Sequence, residues 1–197
     1  MSRMSRADRK RWVATRTLPD VGEVMALWLE GEVKSWPGYA PDCGPDEETT
    51  ELIPTLAALN RAGFVTISSQ PGLAPTRGWD GRMWEQRGAV EGFAARCTAD
   101  SLGAAAEDAG MLVIRRYTRR RVFGRFRSGA GAVPVTASGA RVHTAFGGEL
   151  DATDVEFILG GIGDTAMAEV LDAYQVTVID PAWGSNALWP ALAGALR

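Results

Sequence analysis

The residues with the clearest potential for ligand chemistry lie in a glycine-rich turn near the end of the chain. Residues 160–165 (GGIGDT) stand between a β-branched run and an apolar-periodic stretch. Glycines let backbone N–H groups approach an anion, and the N-terminus of a following helix favours negative charge. This pattern predicts ligand contacts at Gly160, Gly161, Gly163 and Thr165. The alternative is a tight strand-to-helix turn in which Asp164 caps the helix.

Polar side chains at the ends of two predicted strands form a second group. Ser68, Ser69 and Gln70 end the earlier strand, and Asp180 ends the later one, with Trp183 close behind it. If the two strands are parallel neighbours, these tips share one edge, where a sugar or base could be hydrogen bonded and stacked. The alternative is two well-formed turns whose polar side chains bond local backbone groups.

Carboxylates offer a catalytic alternative. If residues 85–93 form a strand, Glu85 and Glu91 fall on one face of it, and two nearby carboxylates could divide acid and base roles. Asp180 would be a further partner only if its strand is a neighbour. A salt-bridged surface around Arg87 is the competing interpretation. His143, the single histidine, has no nucleophile motif beside it. The sequence leaves open whether the protein is an enzyme.

The strongest charge feature is an arginine run at residues 115–127, which holds seven arginines and no acidic residue. Tyr117, Phe123 and Phe126 are interleaved with it, a mixture that favours single-stranded nucleic acid. A charged, exposed edge strand is the alternative, and the net charge of −3 argues against a dedicated nucleic-acid-binding protein. The arginines of this run are Arg115, Arg116, Arg119, Arg120, Arg121, Arg125 and Arg127.

Composition is that of an ordinary globular protein. The 197 residues suit one domain, and no apolar stretch approaches the roughly 20 residues of a membrane span. Residues 1–16 carry six Arg or Lys without the apolar core of a signal peptide, so we expect a cytoplasmic protein. Cys43 and Cys97 are expected as one surface thiol and one packed thiol. No metal, cofactor or membrane partner is predicted.

The elements that must position these groups follow from hydrophobic periodicity and glycine stops. Helices are predicted at 20–31, 51–62, 98–109 and 186–196, and strands at 64–68, 86–94 and 111–117. The helix between the last two strands suggests a crossover with parallel pairing. A strand at 155–159, the glycine turn, a helix and a strand at 176–179 form a predicted βαβ unit. Short β-type runs between 119 and 148 indicate an antiparallel insertion.

These elements predict a single α/β domain at residues 17–197, after a basic and mobile N-terminal segment at 1–16. The domain should have three layers, with a mixed, mainly parallel sheet, helices on both faces and the small antiparallel insertion. The expected function is binding of a nucleotide-like small molecule, or of a protein partner, near Ser69, Gly161 and Asp180. Hydrolase or transferase activity and association with nucleic acid are the alternatives.

Several segments carry a family resemblance. Residues 18–23 (LPDVGE), 56–72 (LAALNRAGFVTISSQPG) and 84–93 (WEQRGAVEGF) resemble an actinobacterial and actinophage family of uncharacterised proteins. Residues 179–184 (IDPAWG) resemble it more loosely. The resemblance implies a phage or mobile-element type of protein and transfers no activity and no catalytic residue.

Overall fold

The structure, a computed structural model, describes residues 4–38, 43–117 and 131–196. Within these ranges the helices are α1 (Arg6–Val13), α2 (Leu18–Leu29), α3 (Ile53–Arg61), α4 (Arg96–Asp108), α5 (Ala152–Leu159), α6 (Asp164–Leu171) and α7 (Leu188–Ala195). The strands are β1 (Phe64–Gln70), β2 (Leu73–Arg77), β3 (Met83–Gln86), β4 (Ala89–Ala94), β5 (Leu112–Tyr117), β6 (Val133–Ser138), β7 (Arg141–Phe146) and β8 (Tyr174–Ile179). A 3₁₀ helix at Glu47–Leu52 leads into α3.

The strands form two four-stranded sheets, and both sheets are antiparallel. Sheet A has the order β1-β4-β8-β5, and sheet B has the order β2-β3-β6-β7. The prediction of a mainly parallel sheet is therefore wrong. β4 and β5 do run in the same direction on either side of α4, but β8 lies between them and pairs with both. The connection through α4 is thus a crossover without parallel pairing, because a strand from much later in the chain occupies the gap.

One long, bent hairpin links the two sheets. β1 pairs with β4 in sheet A, and beyond a break at residues 71–72 and 87–88 the pairing continues between β2 and β3 in sheet B. Pro71 and Gly72 account for the break on one side, since proline removes a ladder donor and glycine bends readily. At Gly72 a Cβ atom would lie 1.9 Å from the carbonyl oxygen of Ser185. The strand predicted at 86–94 is therefore split, and β3 and β4 belong to different sheets.

The predicted βαβ unit near the end of the chain is wrong in its first half. Residues 155–159 form the end of α5, which begins with a capping box between Asp151 and Asp154. Val155 and Leu159 are both buried, and their spacing suits one face of a helix as well as a short apolar strand. The glycine turn therefore joins α5 to α6, while β8 forms as predicted.

The core lies on both faces of sheet A. One face packs against α3, α4 and α7 through Val90, Val176 and neighbouring residues. On the other face, α1, α2, α5 and α6 surround Phe93. Val135 of sheet B packs against Ile179 over the rest of that face. This arrangement leaves a junction between the helical cover and sheet B.

The N-terminal segment before the predicted domain boundary at residue 17 packs against the rest of the protein through α1. In α1 the Trp12 ring is fully buried, and its Nε1 donates to the Ser35 carbonyl oxygen at 2.8 Å.

Cys43 and Cys97 are both exposed, so the expectation of one packed thiol is wrong. Part of the predicted antiparallel insertion forms the β6–β7 hairpin. The β-type run expected at 122–126 lies outside the described residues.

Across the described part of the chain, no helix combines the length and the apolar character that crossing a membrane requires.

Candidate functional site

A cavity of about 470 Å³ opens at the junction of sheet A, sheet B and the helical cover. We call it the β1 cavity, because the edge strand β1 contributes five of its residues, Thr66, Ile67, Ser68, Ser69 and Gln70. Trp28, Trp36 and Phe146 supply ring surfaces to its lining. Its volume lies within the range of about 300–1,000 Å³ that is usual for small-molecule sites.

Two tryptophans give the β1 cavity a fixed aromatic wall. Trp28 Nε1 donates to the Cys43 carbonyl oxygen at 2.8 Å, and Trp36 Nε1 donates to the Ile158 carbonyl oxygen at 2.7 Å. The two rings meet edge to face, with centroids 4.8 Å apart and planes at 77°. Because both indole N–H groups are satisfied and the rings brace each other, the wall offers apolar ring surface in a defined position.

Two serines of β1, Ser68 and Ser69, belong to the polar part of the β1 cavity lining. Ser68 and Ser69 are partly exposed, and no side-chain hydrogen bond joins either hydroxyl to another described residue. Thr66, at the inner end, is already bonded: its N–H donates to Asn60 Oδ1 at 3.0 Å, and its Oγ1 accepts from Asn60 Nδ2 at 2.7 Å. The two serines therefore have hydroxyls free of other side-chain bonds, and their predicted role in ligand binding stays a prediction.

Gln70 joins the two sheets at the other end of the cavity. Its Nε2 donates to the carbonyl oxygens of Arg87 at 3.0 Å and Val135 at 2.9 Å, and its Oε1 accepts from Thr136 Oγ1 at 3.0 Å. The side chain is 5% exposed. Both amide hydrogens and the amide oxygen are thus engaged within the protein, and a ligand role for Gln70 would require some of these bonds to break.

The charge of the β1 cavity is negative. Asp46 and Glu48 belong to its lining, which includes no Arg, Lys or His from the described ranges. A phosphate placed there would be repelled by two carboxylates without a compensating cation. The cavity is therefore suited to a neutral or cationic ligand.

The glycine turn lies in a second cavity, of about 1060 Å³, which we call the turn cavity. Arg9 and Arg16 line it and supply the positive charge that the β1 cavity lacks, whereas Asp164 opposes an anion at the start of α6. The predicted contact residues that line it are Gly160, Gly161, Gly163 and Thr165.

Close packing explains why two of these positions require glycine. A Cβ atom at Gly161 would lie 1.9 Å from the Pro37 carbonyl oxygen, and one at Gly163 would lie 2.1 Å from the Thr15 carbonyl oxygen. Gly163 also donates its N–H to Thr15 Oγ1 at 3.1 Å. The turn is thus shaped by its fit against the chain around Thr15 and Pro37. Its predicted role in ligand binding stays a prediction.

Asp180 and Trp183 occupy a third place. β1 and β8 run in the same direction, but β4 separates them, so the two strands are not neighbours as predicted. The Asp180 carboxylate is 2% exposed and accepts from the Ala182 N–H at 3.0 Å and the Ser185 hydroxyl at 2.6 Å. The Arg87 guanidinium lies 4.4 Å from the Trp183 ring centroid. The ends of β1 and β8 do lie at the same end of sheet A, where the Gly72 N–H donates to Asn186 Oδ1 at 2.8 Å. However, the Asp180 carboxylate is bonded within its own turn, and neither Asp180 nor Trp183 lines the β1 cavity.

The three carboxylates considered for catalysis also have different surroundings. Glu85 lies on β3 in sheet B, and the strand break separates it from Glu91 on β4. Glu91 is 7% exposed and accepts from the Gly147 N–H at 2.6 Å and the Thr177 hydroxyl at 2.7 Å. The expectation that Glu85 and Glu91 share one face of one strand is therefore wrong.

Two members of the arginine run lie within the described residues, and both contact the body of the protein. Arg115 forms an ion pair with Glu107 at 2.6 Å, and Arg116 Nε donates to the Gly147 carbonyl oxygen at 3.0 Å. The predicted contacts outside the described residues are Arg119, Arg120, Arg121, Arg125 and Arg127. No group of three or more His, Cys, Asp and Glu residues in the described ranges is placed to hold a metal ion.

Sequence reasoning missed the aromatic wall and a ring pair in sheet B. Trp28 falls on the apolar face of the predicted helix at 20–31, and Trp36 lies in the turn-forming sequence Ser-Trp-Pro-Gly after it. The helix face did point inward, but nothing local indicated that a cavity lay there. His143 stacks on Trp84 with ring centroids 4.2 Å apart. These two residues meet only through the strand order of sheet B.

Comparison with known proteins gives a family and no activity. No curated protein matches the sequence. The domain of unknown function DUF6919 matches residues 7–197, a range that includes every residue of both cavities except Met4. The protein therefore belongs to the DUF6919 family.

Proposed function

We propose that the protein binds a small, polar, ring-bearing ligand without a phosphate group in the β1 cavity, and that a nucleoside is the favoured class. The observation that carries this proposal is the meeting of two kinds of surface in one cavity of about 470 Å³. Trp28 and Trp36 offer rings, and Ser68 and Ser69 offer unengaged hydroxyls. Sites for small ligands combine apolar walls with a few convergent polar groups in this way.

The two surfaces would recognise different parts of the ligand. A base or sugar ring packs on the tryptophan wall, where aromatic contact adds to the burial of apolar area. The serine hydroxyls can each donate and accept, so they suit the hydroxyl groups of a sugar or the edge of a base. β1 is an edge strand, and such a strand has backbone N–H and C=O groups on its unpaired side. The unpaired backbone groups extend the polar side of the site.

The acidic lining limits the charge of the ligand. Asp46 and Glu48 favour a neutral or cationic molecule. Of the nucleotide-like ligand expected from the sequence, only the base and the sugar, without the phosphate, suit this cavity. A nucleoside should therefore bind more tightly than its own monophosphate. A nucleotide-binding site would show the opposite order.

Isothermal titration calorimetry with the four common nucleosides and their 5′-monophosphates tests this proposal. We expect one-site binding of at least one nucleoside, with the matching monophosphate weaker by about tenfold, equivalent to about 1.4 kcal/mol. Ser68→Leu should abolish binding by filling the polar side of the cavity. Ser101→Leu, at an exposed serine on α4, is the matched control and should bind normally. Absence of binding for every nucleoside, or binding unaffected by Ser68→Leu, would contradict the proposal.

The other functional expectations from the sequence have less support than ligand binding in the β1 cavity. A protein partner, a cytoplasmic location and an actinobacterial or phage origin have no direct support in the fold. Catalysis by Glu85, Glu91 or Asp180 would need these carboxylates to reach a substrate, and Asp180 is bonded within its own turn. A role of the arginine run in nucleic-acid binding depends mainly on residues 118–130, outside the described ranges.

A further inference from the structure

The β2–β3 hairpin forms an exposed arm, which we define as residues 73–86. All five residues of β2 are exposed, and at the hairpin tip Trp79 is 100% exposed. A tryptophan usually buries about 150–250 Å² of surface, so a ring left wholly in water forgoes a large apolar contribution. Met83 and Leu73 on the same arm are also exposed, at 49% and 39%, so apolar surface is grouped here, as it is at interaction sites. Trp79 is therefore placed to contact a molecule outside the chain.

A second aromatic group lies beside the arm. The Trp84 and His143 rings stack with centroids 4.2 Å apart and planes at 32°. Trp84 Nε1 donates to Asp80 Oδ1 at 3.0 Å, and the Ser138 hydroxyl lies 2.8 Å from His143 Nε2. Gly78 makes room for the indole, since a Cβ atom there would lie 2.6 Å from Trp84 Cδ1. Both rings are therefore held in place, and His143 is the exposed member of the stack.

Arginines accompany these rings. Arg77 and Arg82 lie on the arm, and Arg141 begins the edge strand β7; all three are exposed. Arg82 lies 3.9 Å from Asp80, whereas Arg77 and Arg141 have no ion pair with any other described residue. The carboxylate of Asp80 is already committed to Trp84 and Arg82. Together with Asp80 and Glu85 of the arm, the three arginines give this surface a formal charge of +1, whereas the net charge of the whole chain is −3. This surface therefore favours an anionic partner.

We infer that this surface, formed by the arm and Arg141 with His143, binds single-stranded nucleic acid. Unpaired bases stack on aromatic rings, and their phosphates pair with arginine side chains, the two groups that this surface presents. A duplex keeps its bases stacked on one another and could use only the charges. A bilayer would require an apolar tip, but Asp80 stands next to Trp79 and an aspartate resists transfer out of water. The inference does not depend on ligand binding in the β1 cavity.

Fluorescence anisotropy with labelled single strands of about 20 nucleotides, as RNA and as DNA, tests the inference. We expect binding that Trp79→Ala weakens by about 5- to 150-fold, the effect of losing one stacked base. The triple variant Arg77→Ala, Arg82→Ala, Arg141→Ala should reduce the salt slope of log K by about 2, since each phosphate contact on a single strand contributes about 0.7. Because these residues are exposed, circular dichroism should show an unchanged fold.

Matched controls come from exposed residues on the helices. Phe157→Ala on α5 and Arg96→Ala on α4 should leave binding unchanged. The inference is overturned by absence of binding at about 50 mM salt, or by equal or tighter binding of a duplex of the same sequence. It is also overturned if Trp79→Ala binds normally while replacing Arg119, Arg120 and Arg121 with alanine removes binding. Anionic lipid vesicles that bind the protein when single strands do not would point to a membrane surface and equally overturn it.

Discussion

Gln70 provides the sharpest test of how the two sheets are joined. The variant Gln70→Met keeps the size and unbranched shape of the side chain but removes three buried hydrogen bonds, to the Arg87 and Val135 carbonyl oxygens and from the Thr136 hydroxyl. Each bond contributes about 1 kcal/mol net. The Val135 oxygen also accepts from the Arg87 N–H at 2.8 Å, so it is not left without a donor. The expected loss is therefore about 3 kcal/mol of unfolding free energy.

Urea denaturation followed by circular dichroism measures this loss of unfolding free energy directly. In thermal unfolding of a chain of 197 residues, the same loss of about 3 kcal/mol corresponds to a fall in Tm of roughly 6–12 °C. Gln86→Met is the matched control, because Gln86 is a partly exposed glutamine on β3 with no side-chain hydrogen bond to another described residue. The control should change stability by less than about 0.5 kcal/mol. If Gln70→Met is no less stable than the control, the sheets are held together by something other than this amide.

Gln70→Glu extends the test to pH. Its carboxylate would face two carbonyl oxygens where the amide donated two hydrogen bonds, so the pKa of the new side chain should be raised in the folded state. A raised folded pKa means that the stabilising contribution is present below the unfolded pKa, about 4.3, and is lost as pH rises through the folded value. Gln70→Glu should therefore be less stable than Gln70→Met at pH 7 and should recover relative to it at pH 4. Parallel curves for the two variants would refute this reasoning.

Three further predictions concern the acidic side chains. The double variant Asp46→Asn, Glu48→Gln should strengthen binding of a nucleoside monophosphate by about threefold to tenfold in calorimetry and change nucleoside binding little, because it removes the repulsion of the phosphate; equal changes for both ligands would contradict it. Glu91→Ala should lower the unfolding free energy by about 3–5 kcal/mol in urea, since it strands two buried donors, and Glu91→Gln, which keeps an oxygen acceptor, should lower it less; the reverse order would count against the assigned bonds. Hydrogen bonding from Arg61 lowers the pKa of Glu30 below 4.5, so the stability from this pair should be present above that pH and fade as pH falls through the lowered value; the wild-type protein and Glu30→Gln should then converge in acid, and a constant difference would argue against the pair.

Local signals in the sequence predicted several elements well. The apolar spacing from Val21 indicated α2, although the helix begins at Leu18 and its capping box is formed by Thr17 and Asp20. The glycine stop followed by β-branched residues indicated β1. The wrong predictions arose where local signals were ambiguous, or where contacts between residues far apart in the chain determine the structure. Residues 155–159 suit a strand and a helix face equally, and the capping box at Asp151 and Asp154 was the signal that could have settled the assignment. The direction of pairing was out of reach, because β8 enters between β4 and β5 from far along the chain.

The candidate site was predicted in part for the same reason. Ser68 and Ser69 could be identified because a strand that ends in polar residues presents them at an edge. Their aromatic partners could not, since Trp28 and Trp36 reach the cavity through the packing of α2 and a loop against sheet A. Likewise, Gln70 looked like its serine neighbours in sequence, and only the approach of β6 shows that its amide is occupied.

The position of β8 has a consequence for how the protein is made. Its residues are buried from Gln175 to Ile179, and it supplies the ladder partners of both β4 and β5. During synthesis, therefore, more than half of the polypeptide leaves the ribosome before either of those strands can complete its hydrogen bonding. Until Tyr174–Ile179 emerges, one edge of β4 and one edge of β5 lack their partner strand. Nascent chains associate with one another through such unpaired strand edges. Premature termination upstream of Tyr174 would accordingly yield an aggregating product rather than a smaller working one.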